Sequence, residues 1–217
     1  MTGQPAFAQD PDELFDVVHE NGSPTGVVKR RADVHRDGDW HRAIHVWVYG
    51  ANDLGPFLLM NQRGRHKDTW PGMLDVTVGG HLAAGETVEQ AFREIEEEIG
   101  IVAEPSQMRL IGTRKAYGES ERELQDVFLY RDDRPLNAYR PNPAELEGLV
   151  LISLADARAI FSSATSAVEA RLLRASDLIV APHMVTSRDL IPVRDRYYER
   201  VTAAIERTIQ DQPTETG

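Results

Sequence analysis

The chain has 217 residues, 41% of them hydrophobic, enough to bury one good core, so a single domain over 11–210 is expected, with flexible ends at 1–10 and 211–217. Its balance is acidic, 35 Asp and Glu against 24 Lys and Arg with no basic tract, which argues against a nucleic-acid polymer as partner because such binding rests on neutralising phosphates. With no cysteine, disulfides, thiolate metal sites and thiol nucleophiles are excluded; the lack of a long apolar run or of signal-peptide features gives the expectation of a cytoplasmic protein with no membrane partner, and a homodimer is admissible.

The first element is a hairpin, with apolar runs at 15–18 and 26–28 flanking the turn pair Asn21-Gly22. Residues 43–49 alternate Ile44, Val46 and Val48 against His45 and Trp47, a strand. The run 56–61 (PFLLMN) reads as a buried strand, and 74–78 as a strand ending in a Gly79-Gly80 turn. Residues 109–115 and 124–130 suit an antiparallel pair, and 149–152 a further strand. Ser153 with Asp156 caps a short helix; further helices are expected over about 164–173 and 194–209. Strands, one helix, strands again and later helices suit a mixed sheet covered by helices on both faces, an α/β architecture.

Between the two groups of strands lies GGHLAAGETVEQAFREIEEEIGI, residues 79–101. Thr87 and Gln90 form a capping box, so a helix should start near Val88, and Gly100 is placed to end it in a left-handed cap. Ala91, Ile95 and Ile99 would anchor it, while Glu94, Glu97 and Glu98 share one face. Carboxylates crowded together repel unless something offsets them. Arg93 can neutralise one; a divalent cation, Mg²⁺ or Mn²⁺, does so better and completes its shell with water and substrate phosphate. An isolated acidic run is ordinarily a solvated face; glycines, a cap and an Arg-Glu pair in fixed order set this one apart.

The segment resembles the Nudix box, G-x5-E-x7-R-E-U-x-E-E-x-G-U with U aliphatic. Gly80 and Glu86 carry the first half, and Arg93, Glu94, Ile95, Glu97, Glu98, Gly100 and Ile101 the second. One residue is missing: six, not seven, separate Glu86 from Arg93, and the loop-to-helix junction is expected to absorb the difference. The resemblance implies the Nudix α/β/α sandwich, metal ions on Glu94, Glu97 and Glu98 with a carbonyl of Gly79 or Gly80, and hydrolysis of a diphosphate in a small-molecule substrate. Arg93 would orient a box carboxylate. The general base would be a glutamate, with Glu98 and Glu145 ranked ahead of Glu123 and Glu147.

Residues 15–152 are also similar to isopentenyl-diphosphate isomerase and to isomerase-like Nudix hydrolases. In the isomerase three histidines and two glutamates hold a metal; His35, His41 and His81 fall at similar places, the gap between the first two being one residue short, and Glu121 and Glu123 match the glutamates. The diphosphate-binding Arg and Lys fall on Arg63 and Lys67, ahead of Trp70-Pro71-Gly72. The isomerase's cysteine, however, precedes the Gly-His pair, where this chain has Gly79. Glycine cannot replace a thiol in proton transfer to carbon, so the expectation is a diphosphate hydrolase. The alternatives are an isomerase-type enzyme and a non-catalytic Nudix nucleotide-binding module; the latter would be expected to lose box glutamates, and the helical ones are all present.

Overall fold

A computed structural model describes residues 10–67, 69–118, 122–193 and 195–211. Of the expected ends at 1–10 and 211–217, residues 1–9 and 212–217 lie outside them, as do Glu121 and Arg194, the expected start of the last helix. The hairpin forms: β1 (Leu14–Val18) and β2 (Pro24–Arg30) pair antiparallel as a separate two-stranded sheet, and a short helix α1 (Arg31–Asp37) follows that the sequence did not announce.

The main sheet is built on β3 (Trp40–Asn52) and β4 (Gly55–Arg63). Two short strands, β5 (Leu74–Asp75) and β6 (Val78–His81), pair with β4 and β3 respectively. The box follows as α2 (Val88–Ala91) and α3 (Arg93–Ile99), then β7 (Arg109–Tyr117), β8 (Arg122–Arg131) and β9 (Leu146–Ser153). Next come α4 (Leu154–Phe161), β10 (Ala167–Arg174), β11 (Val180–Thr186) and α5 (Tyr197–Gln210). The sheet order is β11-β10-β9-β4-β3-β8-β7; β3 and β8 run parallel and the other pairs antiparallel. This is a mixed sheet in an α/β/α sandwich.

Period-two alternation on the central strands sorts their side chains between two cores. From β3, Trp47 and Tyr49 join Val127 and Leu129 of β8 beneath α4 and α5. Ile44, Val46 and Val48 join Phe128 and Tyr130 on the other face, beneath Ala91, Ile95 and Ile99 of the box. Those three box residues are fully buried, as their helical spacing predicts. Truncating Ile95 to alanine would cost roughly 2–5 kcal/mol.

Three expectations need correcting. The helix expected over 164–173 is the strand β10, hydrogen-bonded on both sides by β9 and β11. Its good helix formers (Ala, Glu, Arg, Leu) are overridden because Val168, Ala170 and Leu172 fit one core at strand spacing. The Gly79-Gly80 pair is not a turn but the middle of β6, paired with His45 and Ile44. Gly80 is required there by close approach: a Cβ would lie 2.5 Å from Cγ of Glu94. Finally, the missing box residue is absorbed inside the helix. Thr87 and Gln90 form the full capping box, and Gly100 (φ 72°) closes the far end in the left-handed region. With both ends fixed, the slack falls between them, at Phe92, where the helix breaks and Ile95 N–H bonds the Phe92 carbonyl at 3.1 Å.

Candidate active site

The box helix presents three carboxylates in three environments. Glu98 is buried, and its Oε2 has no hydrogen-bond partner. Glu94 is half-buried against Gly80, and Glu97 sits at the exposed rim. Burial pushes Glu98 well above the ordinary carboxylate range; Lys67 and Arg63 oppose this, and Glu94 and Glu145 add to it. Burial also raises Glu94 to about 7, opposed by Arg93 and reinforced by Glu97, Glu13 and Glu145. Arg93 is a clamp at the base of this group. It is ion-paired with Glu86, lies 3.1 Å from Glu94 and 3.7 Å from Glu97, while Glu86 also accepts the Ala83 N–H at 2.8 Å.

Opposite stand Lys67 and Glu145, a part-buried ion pair from the loop after β4 and the turn before β9. Asn142 N–H bonds the Glu98 carbonyl at 2.8 Å and Gly64 N–H bonds that of Glu145 at 2.8 Å, which ties these loops to the box helix. Arg63 donates to Asp75 (3.3 Å) and to the carbonyl and hydroxyl of Thr69 (3.1 and 3.2 Å). Arg65 meets Glu147 only at the surface, at 3.7 Å. Glu98, Glu94, Glu145, Lys67 and Arg63 thus form one electrostatic cluster, which the sequence had placed in separate segments. Asp75 and Asn142, which hold it, carry no sequence motif, one being an Asp in a two-residue strand and the other an Asn in a loop.

These residues fit a divalent cation. A buried, unpartnered carboxylate oxygen beside a second carboxylate of raised pKa is a costly arrangement without a counter-charge. Oxygen-only donors suit Mg²⁺ or Mn²⁺. The sign of the pH effect follows. Groups whose folded pKa is raised stabilise the metal-free fold fully below their unfolded value, near 4.5, and that contribution is lost as pH rises through about 7 for Glu94 and higher for Glu98. The rise in melting temperature on adding Mg²⁺ should therefore be larger at pH 8.5 than at pH 5.5, as calorimetry can check; an equal rise would place the ion elsewhere.

A second cluster lies on the opposite face of β6. His35 from α1, His41 from the start of β3 and His81 from β6 bring one ring nitrogen each within 4.8 Å of one another. Glu123 accepts from His81 Nε2 at 3.1 Å and lies 3.7 Å from His41. Burial, aided by Arg31, lowers His35 to about 4, and burial, aided by His81, lowers His41 to about 4. Both imidazoles are therefore neutral at pH 7, as ligation requires. The Nε2 atoms of His35 and His41 are buried without a hydrogen-bond partner, while Arg31 approaches His81 Nδ1 at 3.1 Å. Burial pushes Glu123 up, but the His81 hydrogen bond and its neighbours outweigh this and hold it well below the carboxylate range. The short gap between His35 and His41 is accommodated because α1 ends at Gly38 in a left-handed cap that turns the chain straight into β3. A histidine-rich set of this kind suits a softer divalent ion such as Zn²⁺.

Beside it, His45 Nδ1 and Trp47 Nε1 each lie 2.8 Å from the Tyr197 hydroxyl. His45 is thus a hydrogen-bonder, and Tyr197 ties α5 to β3 through its hydroxyl. The His45 ring edge lies 3.7 Å from where a Cβ on Gly79 would stand.

Residues 39–172 match the family described as NUDIX domain. The chain is 47% identical over 91 residues, 42% of its length, to Nudix hydrolase 3 of Arabidopsis thaliana, but spans only 12% of that much longer protein. It is 34% identical over 147 residues to an uncharacterized Nudix hydrolase of Clostridium acetobutylicum, covering 66% of this chain and 71% of the relative. An isopentenyl-diphosphate Delta-isomerase of Saccharopolyspora erythraea is 31% identical over 144 residues, 63% of this chain and 70% of that one. In fold, it resembles the Deinococcus radiodurans protein DR0079 (TM-score 0.55, 24% identity, 70% and 90% coverage). No helix among the described residues is long and apolar enough to cross a membrane. The chain belongs to the NUDIX family, on the branch where Nudix hydrolases and isopentenyl-diphosphate isomerases meet.

Proposed function

We propose that the chain hydrolyses the diphosphate linkage of a nucleoside diphosphate derivative or a related organic diphosphate, with Mg²⁺ or Mn²⁺ held by Glu94, Glu97 and Glu98. One observation supports this reading above the others: the buried, unpartnered carboxylate oxygen of Glu98, facing Lys67, Glu145 and Arg63. When bound, the ion would screen the phosphates and make a coordinated water acidic. The chain's own part is positional. Arg63 and Lys67 bring positive charge to an acidic molecule and orient the diphosphate. Arg93 keeps Glu94 and Glu97 aimed by ion pairs. Glu145, ion-paired with Lys67, would take a proton from an attacking water, with Glu98 as the other candidate base. Phosphate release from a panel of nucleoside diphosphate derivatives with Mg²⁺ or Mn²⁺ tests this; no turnover of any member in either metal would defeat it and favour a non-catalytic binding module.

A second reading, isomerase-type chemistry, is favoured by the assembled His35, His41, His81 and Glu123 set. Gly79 opposes it, and the chain has no cysteine to substitute. Isopentenyl diphosphate incubated in heavy water should therefore gain no deuterium at carbon by mass spectrometry. Clear incorporation would make the second reading the right one.

A further inference from the structure

A cavity of about 510 Å³ opens between the edge strand β7 and α5 and shares no residue with the cluster around Glu98. On β7, Arg109, Gly112 and Arg114 stand opposite Leu129, Val127 and Gln125. Leu129 and Val127 belong to the core beneath α5, so these β7 positions face the helix. From α5, Arg200, Ala204 and Arg207 line the cavity, spaced so that they share one helix face. Four arginines thus line it. Small residues leave its centre open: a Cβ on Gly112 would meet nothing within 4 Å.

The charge balance inside is the reverse of the whole chain's. Arg114 and Arg200 share one carboxylate, Asp195, at 3.0 and 2.5 Å. The side chains of Arg109 and Arg207 have no ion pair or hydrogen bond among the described residues. Four guanidiniums against one carboxylate is a local excess in a chain of net charge −11. Guanidinium forks match phosphate oxygens in geometry as well as charge. Ile111, Val201 and Ala204 add apolar surface, and the volume lies in the range of small-molecule pockets. A second copy of the chain pairing on β7 is disfavoured, since Arg109, Arg114 and Lys115 would meet like charges.

We propose that this cavity is a binding site for a nucleotide or similar organic phosphate, separate from the carboxylate face of α3. Its phosphate lies on Arg109 and Arg207, and its apolar part lies against Ile111 and Val201. The site has a route to the histidine cluster. Arg114 donates to the Gln125 side-chain oxygen at 2.7 Å, and Gln125 donates to Glu123 at 2.6 Å. Arg114 also stacks 4.4 Å over the Tyr197 ring.

AMP is the probe, because it contains no diphosphate for the proposed hydrolase to cleave. Calorimetric titration in EDTA at low salt should show one molecule bound per chain. The double variant Arg109→Ala/Arg207→Ala should weaken binding at least tenfold, with circular dichroism and melting temperature unchanged, because both side chains are exposed. Glu98→Gln should bind AMP as the parent does, so failure of the hydrolase reading would leave this test standing. Undetectable binding at millimolar AMP, an affinity within twofold in the double variant, or adenosine binding as tightly as AMP would each overturn the proposal.

Discussion

Glu98→Gln is expected to lower kcat by a hundredfold or more, about 3 kcal/mol of transition-state stabilisation, with the fold intact. The side chain is buried and glutamine is nearly isosteric, so the packing around it survives. What changes is charge. The substitution removes a carboxylate held out of water with one oxygen unpartnered, and with it the reason for a cation to sit there. Two readouts should move in opposite directions. Steady-state kinetics should collapse, while the metal-free protein at pH 8.5 should melt at a higher temperature, because a buried group that resists ionisation no longer has to ionise. Parent-like turnover, or a metal-free variant less stable than the parent at that pH, would mean that Glu98 is a structural residue.

The second large effect is expected at Lys67. The sequence pattern assigns it to the diphosphate, as it does Arg63, but the fold gives the two residues unequal surroundings. Lys67 is 8% exposed and ion-paired with Glu145, whereas Arg63 is held by Asp75 and Thr69. Lys67→Ala leaves Glu145 partly buried and unpaired beside Glu98, which should cost about 3 kcal/mol of stability. It should also reduce kcat/KM by roughly ten- to a hundredfold through loss of a charge-assisted contact. Arg63→Ala should act mainly on KM. Removing Glu145 together with Lys67 should restore much of the stability without restoring activity, a coupling that urea denaturation of the two single variants and the double measures directly. Additive stability losses would show that the pair does not act as a unit.

How far the sequence foretold this molecule depends on the kind of signal. The box helix was legible in detail because several local rules agree on it: the Thr87–Gln90 cap, the Ala91-Ile95-Ile99 stripe and the Gly100 terminator. The hairpin at Asn21-Gly22, the alternation of β3 and the Ser153 cap of α4 were legible for the same reason. β10 was not, because its residues favour a helix and only its place between β9 and β11 makes it a strand. Nor could local reading show that Gly79 and Gly80 stay extended; that follows from Glu94 pressing on β6 from the neighbouring helix. Within the site, residue types were readable but partners were not. Nothing near Lys67 in sequence points to Glu145, which lies 78 positions away, and nothing in His35 alone points to His81, which follows only after β3, β4 and β5. The cavity beside α5 left no motif at all, since its arginines come from a strand and a helix nearly a hundred residues apart.

The claim at the centre of this account is that water attacks a phosphorus of a diphosphate at the carboxylate face of α3. Turnover of a nucleoside diphosphate derivative in ¹⁸O-labelled water, with Mg²⁺ and analysed by mass spectrometry, tests it most directly. The account predicts one ¹⁸O in one of the two phosphate-bearing products, at a rate that Glu98→Gln cuts at least a hundredfold. Products carrying no ¹⁸O on phosphorus, or label arriving at the parent rate in Glu98→Gln, would contradict it.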